Sequence, residues 1–254
     1  MSGPAPKNLR ILSCNILAGA SIQRYRQYIT RSWANVLPSR AKLDNLDSLA
    51  RILPDFDVIG LQETDAGSLR SGFLNQTRYL AESAGMPYWS HQPNRQMARL
   101  AYTANGLISR LEPRQVVDYP LPGRGRGALL AHFGEDKDTL VVMIAHLALR
   151  PQTRERQLAF ISELLGAHRH VILMGDLNTD PDSPEMRRLF RRTRLQPPSE
   201  AVLTFPSWRP RRAIDHILLS PELQLERQWA LPDAFSDHLP LAAEIKLPMA
   251  LSKN

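Results

Sequence analysis

Apolar residues along this chain fall into short runs bounded by turn formers, interleaved with stretches whose apolar positions recur three and four residues apart. Short continuous runs predict buried strands, and the three-four spacing predicts amphipathic helices. Strands are expected over residues 9–16, 56–61, 106–109, 128–133, 140–145, 171–174, 214–219 and 241–245. Helices are expected over 20–42, 43–53, 75–84 and 153–165; Pro54 ends the second and Gly85-Met86-Pro87 the third. In 20–42, Ile22, Tyr25, Ile29, Trp33, Val36 and Leu37 keep helical spacing while Arg24, Arg26, Arg31, Arg40 and Lys42 interleave with them. Residues 120–127 read as a Pro/Gly turn, and the polar link 134–138 reads as a hairpin. No fixed-period repeat, long linker or low-complexity tract divides the chain, so one domain spanning 1–254 is expected. Strands and helices alternate at first and hairpins follow. That order argues against a purely parallel sheet and for an α/β fold of mixed sheets flanked by helices.

Several strands end in the same way. A short apolar run leads into a residue able to bind a metal, move a proton or hold a phosphate. Asn15, Glu63, His146, Asp176 with Asn178, and the pair Asp237-His238 all stand in such positions. Glu63 offers a carboxylate and Asn15 an amide oxygen, both hard ligands, and no Cys/His cluster has zinc spacing. A sparse hard-oxygen shell suits Mg²⁺ or Mn²⁺. Asp176 can orient an attacking water or take its proton, and Asn178 can donate to a developing oxyanion. His238 needs a partner to set its tautomer, and Asp215 on a neighbouring strand is the candidate. Asp237, next to His238, is expected to point elsewhere, towards metal or water. His146 can donate to a phosphoryl oxygen. His91, His132, His168, His170 and His216 lack this context and are read as non-catalytic.

Composition adds a partner class. Of 254 residues, 43% are hydrophobic, enough for a sizeable core, and 32 Lys and Arg against 25 Asp and Glu leave a net charge of +7. Such an excess favours an anionic partner: nucleic acid, an anionic membrane surface or a phosphorylated small molecule. The single cysteine, Cys14, allows no internal disulfide and reads as a small core residue. No stretch approaches the ~20 apolar residues that span a bilayer. The run after Lys7 and Arg10 is interrupted by Ser13, Cys14 and Asn15, a poor secretory segment. A cytoplasmic enzyme with no obligate protein partner is the simplest reading.

The ordered set Asn15, Leu61-Gln62-Glu63, Asn105-Gly106-Leu107-Ile108-Ser109-Arg110, His146-Leu147, Gly175-Asp176-Leu177-Asn178, Ile214-Asp215-His216-Ile217 and Ser236-Asp237-His238 resembles the endonuclease/exonuclease/phosphatase superfamily. The resemblance runs from residue 9 to about 246 and implies a four-layer α/β sandwich, with two mixed β-sheets packed face to face and helices on the outer faces. It also implies divalent-metal phosphoester hydrolysis. Carried across, Asn15 and Glu63 look like a metal pair with Asp237 near the metal, and Asp176 like the residue that activates water. Asn178 looks like a transition-state contact, Asp215 like the carboxylate orienting His238, and His238 like the phosphate-contacting acid/base residue. Asn105 looks like a phosphate-contacting amide. Leu17 and His146 depart from the abasic-site endonucleases, which carry a carboxylate and a tyrosine there. Thr204-Phe205-Pro206 is similar to a run in small bacterial members.

The expected activity is a metal-dependent phosphodiesterase acting on nucleic acid, DNA first. A phospholipid, phosphoinositide or small phosphoester is the alternative, and a catalytically inactive binding protein a remote one. The segment 20–42 and the run 206–212 could carry an anionic polymer or lie on anionic lipid. Gly123-Arg124-Gly125-Arg126-Gly127 reads as a flexible turn, because it lacks the Lys-Ser/Thr ending of a Walker loop.

Overall fold

A computed structural model describes residues 8–19, 39–97, 101–134 and 139–248. Among these residues, eleven strands form two sheets. The first holds β1 (Asn8–Asn15), β2 (Val58–Asp65), β3 (Tyr88–Met97), β4 (Ala101–Ser109), β10 (Gln224–Ala230) and β11 (Leu241–Lys246), in the order β10-β11-β1-β2-β4-β3. The second holds β5 (Gln115–Pro120), β6 (Gly127–Phe133), β7 (Leu140–His146), β8 (His170–Asp176) and β9 (Asp215–Leu219), in that order. Each sheet is mixed. β1 and β2 are parallel, as are β7 and β8, and the other pairs are antiparallel. A parallel pair needs a crossover, and helices supply both. α1 (Arg40–Ile52) lies between β1 and β2, and α3 (Pro151–Leu165) between β7 and β8. α2 (Gln76–Ser83) and α4 (Pro184–Arg192) complete the described α-helices.

Alternation along the strands builds the layers. Leu9 and Ile11 of β1 meet Leu140, Val142 and Ile144 of β7 and Ile172 and Met174 of β8 in the core between the sheets. Leu12 and Cys14 point the other way, into a core shared with Leu46 and Leu49 of α1 and Leu80 of α2. Val141, Met143 and Leu173 pack beneath Leu158 and Ile161 of α3 and Met186 and Leu189 of α4. The result is the expected α/β/β/α sandwich, in which strands of both sheets are covered on both faces.

Several boundaries differ from the sequence reading. Most of the helix expected over 20–42 lies outside the described residues; Arg40 and Lys42 belong to α1. Residues 135–138 of the expected hairpin link also lie outside them, but β6 and β7 do pair as antiparallel neighbours, Ala128 opposite Ala145. β2 runs past residue 61, so Glu63 sits within a strand. β4 begins before residue 106, so Asn105 does too. β3, β5, β10 and α4 are elements that apolar runs did not reveal. All three strands are sheet edges. β5 and β10 keep exposed and half-buried positions along their length, so no continuous apolar run marks them, whereas the remaining edge, β9, is buried throughout and its run was legible. α4 buries only Met186 and Leu189, yet Ser183 caps it, accepting from the Met186 N–H at 3.3 Å, and Pro184 starts it.

Candidate active site

Five strand ends meet at one edge of the sandwich. The parallel register of β7 and β8 places His146 opposite Asp176, and the antiparallel register of β8 and β9 places Asp215 opposite Asp176. β1 and β2 bring Asn15 beside Gln62, the residue before Glu63. A β-bulge between Leu61 and Thr64 holds Glu63 at φ 55°, in the left-handed region, which re-aims a side chain that regular pleating would send towards the outer core. Asn178, at φ 54°, turns the chain directly after β8. Gly175, one residue before Asp176, has φ 140°, and a Cβ there would stand 1.9 Å from the Ala145 carbonyl oxygen. Only glycine lets β7 and β8 approach so closely at the site.

Asp176 is the hub. Its Oδ2 accepts from Asn15 Nδ2 at 3.2 Å and lies 3.4 Å from His146 Nε2 and 3.8 Å from His238 Nε2. Its Oδ1 accepts from the Asn178 N–H at 3.0 Å. Burial pushes this carboxyl up to about 7; the nearby His238 opposes the shift, and Asp215 and Glu63 add to it. The Nε2 of His146 is also 3.7 Å from Glu63 Oε1.

The two histidines are held in opposite protonation states. Arg126 Nη1 lies 2.7 Å from His146 Nδ1. A guanidinium only donates, so Nδ1 accepts and the ring proton sits on Nε2, facing Asp176 and Glu63. Burial, then Arg126 and His238, hold the His146 pKa well below its ordinary value, so these contacts are those of a neutral imidazole. His238 is different. Its Nδ1 is 2.8 Å from Asp215 Oδ2, an oxygen that also accepts from the Thr204 hydroxyl. Burial disfavours its charge, but Asp215, then Asp176 and Asp237, outweigh burial and raise it to about 10. Ser236 Oγ accepts from the His238 N–H at 3.0 Å and donates to the Asn15 carbonyl, and the Phe205 ring lies 4.8 Å from the imidazole.

The structure therefore brings Asn15, Glu63, His146, Asp176, Asp215 and His238 into one network, with Asn178 joined to it through its backbone. The Asn178 side-chain amide donates to the Leu147 carbonyl at 2.9 Å, which leaves one of its two N–H groups for another acceptor. Asp237 is buried beside His238, and burial raises its carboxyl as well. Asn105 stands back from the network. It donates to Gln92 at 3.2 Å and to the Gly127 carbonyl at 2.8 Å, one residue from Arg126. Arg126 and Thr204 are the residues that sequence reasoning missed. Arg126 was hidden in a Gly-rich run that suggested only a turn. Thr204 belongs to the Thr-Phe-Pro run that carried resemblance without a role.

Asp176, Asp215 and His238 place ligand atoms within 4.8 Å of one another, close enough to hold a metal ion. Asp215 and His238 are already bonded to each other, however, and a metal between them would break that bond. Asn15 and Glu63 flank Asp176 on its other side and offer a second set of hard oxygens, whereas Asp237 interacts with His238 and Asp215. Asn15 Oδ1 accepts from the Leu17 N–H at 3.1 Å and keeps a second lone pair. A carboxyl that burial, and then the charges of Asp215 and Glu63, lift towards neutrality, beside the oxygens of Glu63 and Asn15, is a donor set that a hard dication fits.

A family model described as the Endonuclease/Exonuclease/phosphatase family matches residues 12–238. No curated protein matches the sequence. Among solved structures, an endonuclease/exonuclease/phosphatase from Beutenbergia cavernae is 20% identical with a TM-score of 0.72, covering 96% of this chain and 72% of that one. A mannosyl-6-phosphatase from Bacteroides thetaiotaomicron is 19% identical with a TM-score of 0.67, covering 93% and 99%. The human Nocturnin catalytic domain with bound sulfate is 16% identical with a TM-score of 0.69, covering 96% of both chains. At these identities the likeness establishes the shared sandwich.

Proposed function

Because the chain belongs to the endonuclease/exonuclease/phosphatase family, whose members hydrolyse phosphoesters, we propose that it is a Mg²⁺- or Mn²⁺-dependent phosphodiesterase acting on nucleic acid. The observation that carries this reading is the convergence on one Asp176 oxygen of His146 Nε2 at 3.4 Å and His238 Nε2 at 3.8 Å, the first ring set at Nδ1 by Arg126 and the second by Asp215. Hydrolysis of a phosphodiester needs a group to direct water, donors for the phosphoryl oxygens and a proton for the leaving oxygen. Asp176 directs the water and accepts its proton. His146 donates through Nε2 to a phosphoryl oxygen, oriented by Arg126 at its other nitrogen. His238, held protonated by Asp215 and oriented by it together with Thr204, donates to the phosphoryl group or to the departing oxygen. Asn178 offers its remaining amide N–H, whereas Asn105, expected as a phosphate contact, has both N–H groups committed to Gln92 and Gly127 and instead holds the strand that follows Arg126. Asn15 and Glu63 would hold the metal, which when bound supplies Lewis-acid stabilisation of charge on the phosphoryl oxygens.

The net charge of +7 supports a nucleic-acid substrate. A phosphorylated small molecule is the second reading, favoured by a cavity of about 460 Å³ beside Glu63, a size that suits a compact ligand. The test is turnover of plasmid DNA, single-stranded DNA, RNA, phosphatidylinositol phosphates, sphingomyelin and a chromogenic diester, each with Mg²⁺, with Mn²⁺ and in chelator. Hydrolysis that needs the metal and that Glu63→Ala loses unless metal is raised supports the assignment. Full turnover by metal-free protein would overturn it.

A further inference from the structure

The cavity beside Glu63 is built by two loops that the reaction described above does not use as a whole. One follows β5 and contributes Gly123, Arg124, Gly125 and Arg126; the other follows β7 and contributes Ala148, Leu149 and Arg150. Both loops are fixed from below by buried side chains. Gln157 of α3, fully buried, accepts from the Ala148 N–H at 2.8 Å and donates to the Pro122 carbonyl at 3.0 Å, so one amide ties the two walls together. Arg154 donates to the carbonyls of Ala148 and Leu149 at 3.2 and 3.0 Å and is itself held by Glu185 at 2.7 Å. Gly123, at φ 100°, lies so close to α3 that a Cβ would stand 2.9 Å from Thr153 Cγ2. The first loop closes on itself through the Leu121 N–H and the Arg126 carbonyl at 3.1 Å. The turn that the sequence suggested to be flexible is a braced wall.

Three guanidiniums line this cavity and only one carboxylate, Glu63, does so, on the side that faces Asp176 and His146. Arg124 and Arg150 are exposed and have no acidic partner among the described residues. Arg150 also precedes α3, whose N-terminal end adds positive potential. Guanidiniums on a pre-formed wall bind oxyanions in bidentate fashion at little ordering cost. We propose that this cavity is a subsite for a second phosphate of the substrate, carried on the same molecule as the phosphoester that is cleaved. This rests on reading the neighbouring site as a phosphodiesterase centre, and it narrows the substrate to polyanionic phosphoesters. A choline-bearing lipid would bring a cation to three cations and is disfavoured. The second phosphate can be the next one along a nucleic-acid chain or a separate monoester on a small molecule; both present the same chemistry to the arginines.

Two substrate pairs separate these sources with the Mg²⁺-loaded full chain. One is the p-nitrophenyl ester of thymidine 5′-phosphate, with a 3′-hydroxyl or a 3′-phosphate. The other is a p-nitrophenyl ester of an inositol phosphate, with or without a neighbouring phosphate monoester. The expected result is a kcat/KM on the order of tenfold higher for the doubly phosphorylated member of at least one pair, carried mainly by KM. The nucleotide pair alone responding identifies a nucleic-acid phosphate; the inositol pair alone identifies a small phosphoester. In Arg124→Ala/Arg150→Ala the preference should collapse towards one, and in Arg124→Lys/Arg150→Lys a large part should return. Equal kcat/KM within both pairs for the unaltered protein, or a preference that survives the double alanine change, would overturn the inference while leaving the phosphodiesterase assignment intact. No turnover of any of the four substrates would remove that assignment and the inference with it.

Discussion

His146 and His238 face the same Asp176 oxygen at 3.4 and 3.8 Å, and their neighbours divide the labour between them. A cation at Nδ1 of His146 forbids a proton there, whereas a carboxylate at Nδ1 of His238 requires one. The proposed mechanism needs both states at once. Replacing Asp176 or His238 by Ala should therefore cut kcat by a factor on the order of 10² or more, the scale of general acid-base catalysis. Circular dichroism and cooperative unfolding should persist, since both side chains meet at the sheet edge and not in the packed core. A near-normal rate in either variant would contradict the roles given to them. Asp215→Asn is subtler, because it preserves shape and removes the charge that keeps His238 protonated. It should lower kcat far more than Thr204→Val, which removes one hydrogen bond to Asp215 and leaves the carboxylate. Equal losses in the two would mean that Asp215 acts by position alone. The reactive types at these positions were visible in the sequence as endings of apolar runs. The Arg126 contact was not, since nothing local distinguishes an arginine that reaches an imidazole from one that reaches water.

At the scale of elements, register does the work. β7 and β8 run parallel and end level, so His146 and Asp176 emerge side by side, and antiparallel β9 starts where β8 stops. Gly175 is what this arrangement demands. A methyl group there would meet the Ala145 carbonyl oxygen at 1.9 Å, and the backbone stands at φ 140°. Gly175→Ala should destabilise the protein by roughly 3 kcal/mol and lower kcat by displacing Asp176 from its partners. Chemical denaturation and steady-state rates on the same preparation check this; unchanged stability would show that β7 can move aside at no cost. Central strands were legible because each is covered on both faces and reads as an unbroken apolar run. β3, β5 and β10 were not, because polar residues interrupt them; β9, also at an edge, is buried along its whole length and was legible. α4 announced itself by its Ser183-Pro184 start and not by an apolar stripe.

For the whole molecule, the sandwich gathers acidic groups where water is scarce, and its stability should follow their titration. Asp176 rises from 3.8 to about 7, so the folded state holds a proton there that the unfolded chain has released, and stability falls as pH rises across that window. His238 rises from 6.5 to about 10, so the stability it contributes is complete below its ordinary value and is lost as pH climbs through the folded one. Both shifts act in the same direction. Below about pH 7 the lowered His146, His132, His168 and His216 act in the opposite direction, so the decline belongs to the alkaline side: in chelator, the thermal midpoint should fall between about pH 7 and about pH 9, and Mg²⁺ should raise it most at the alkaline end, where the carboxylates are ionised. A midpoint in chelator that climbs over this range, or a Mg²⁺ increment that does not grow with pH, would contradict the acidic pocket described here. The sequence by itself determined the class of fold, through apolar runs and helical spacing, and the roster of candidate site residues, through the order of their motifs. Both are properties of short stretches of chain, where burial and periodicity leave a local mark. Only the tertiary structure decided which tautomer each histidine carries, that Asp176 is the shared neighbour, and that a Gly-rich turn is braced into a cationic wall. Those depend on distances between residues far apart in the chain, which packing of two sheets sets and which no local pattern records.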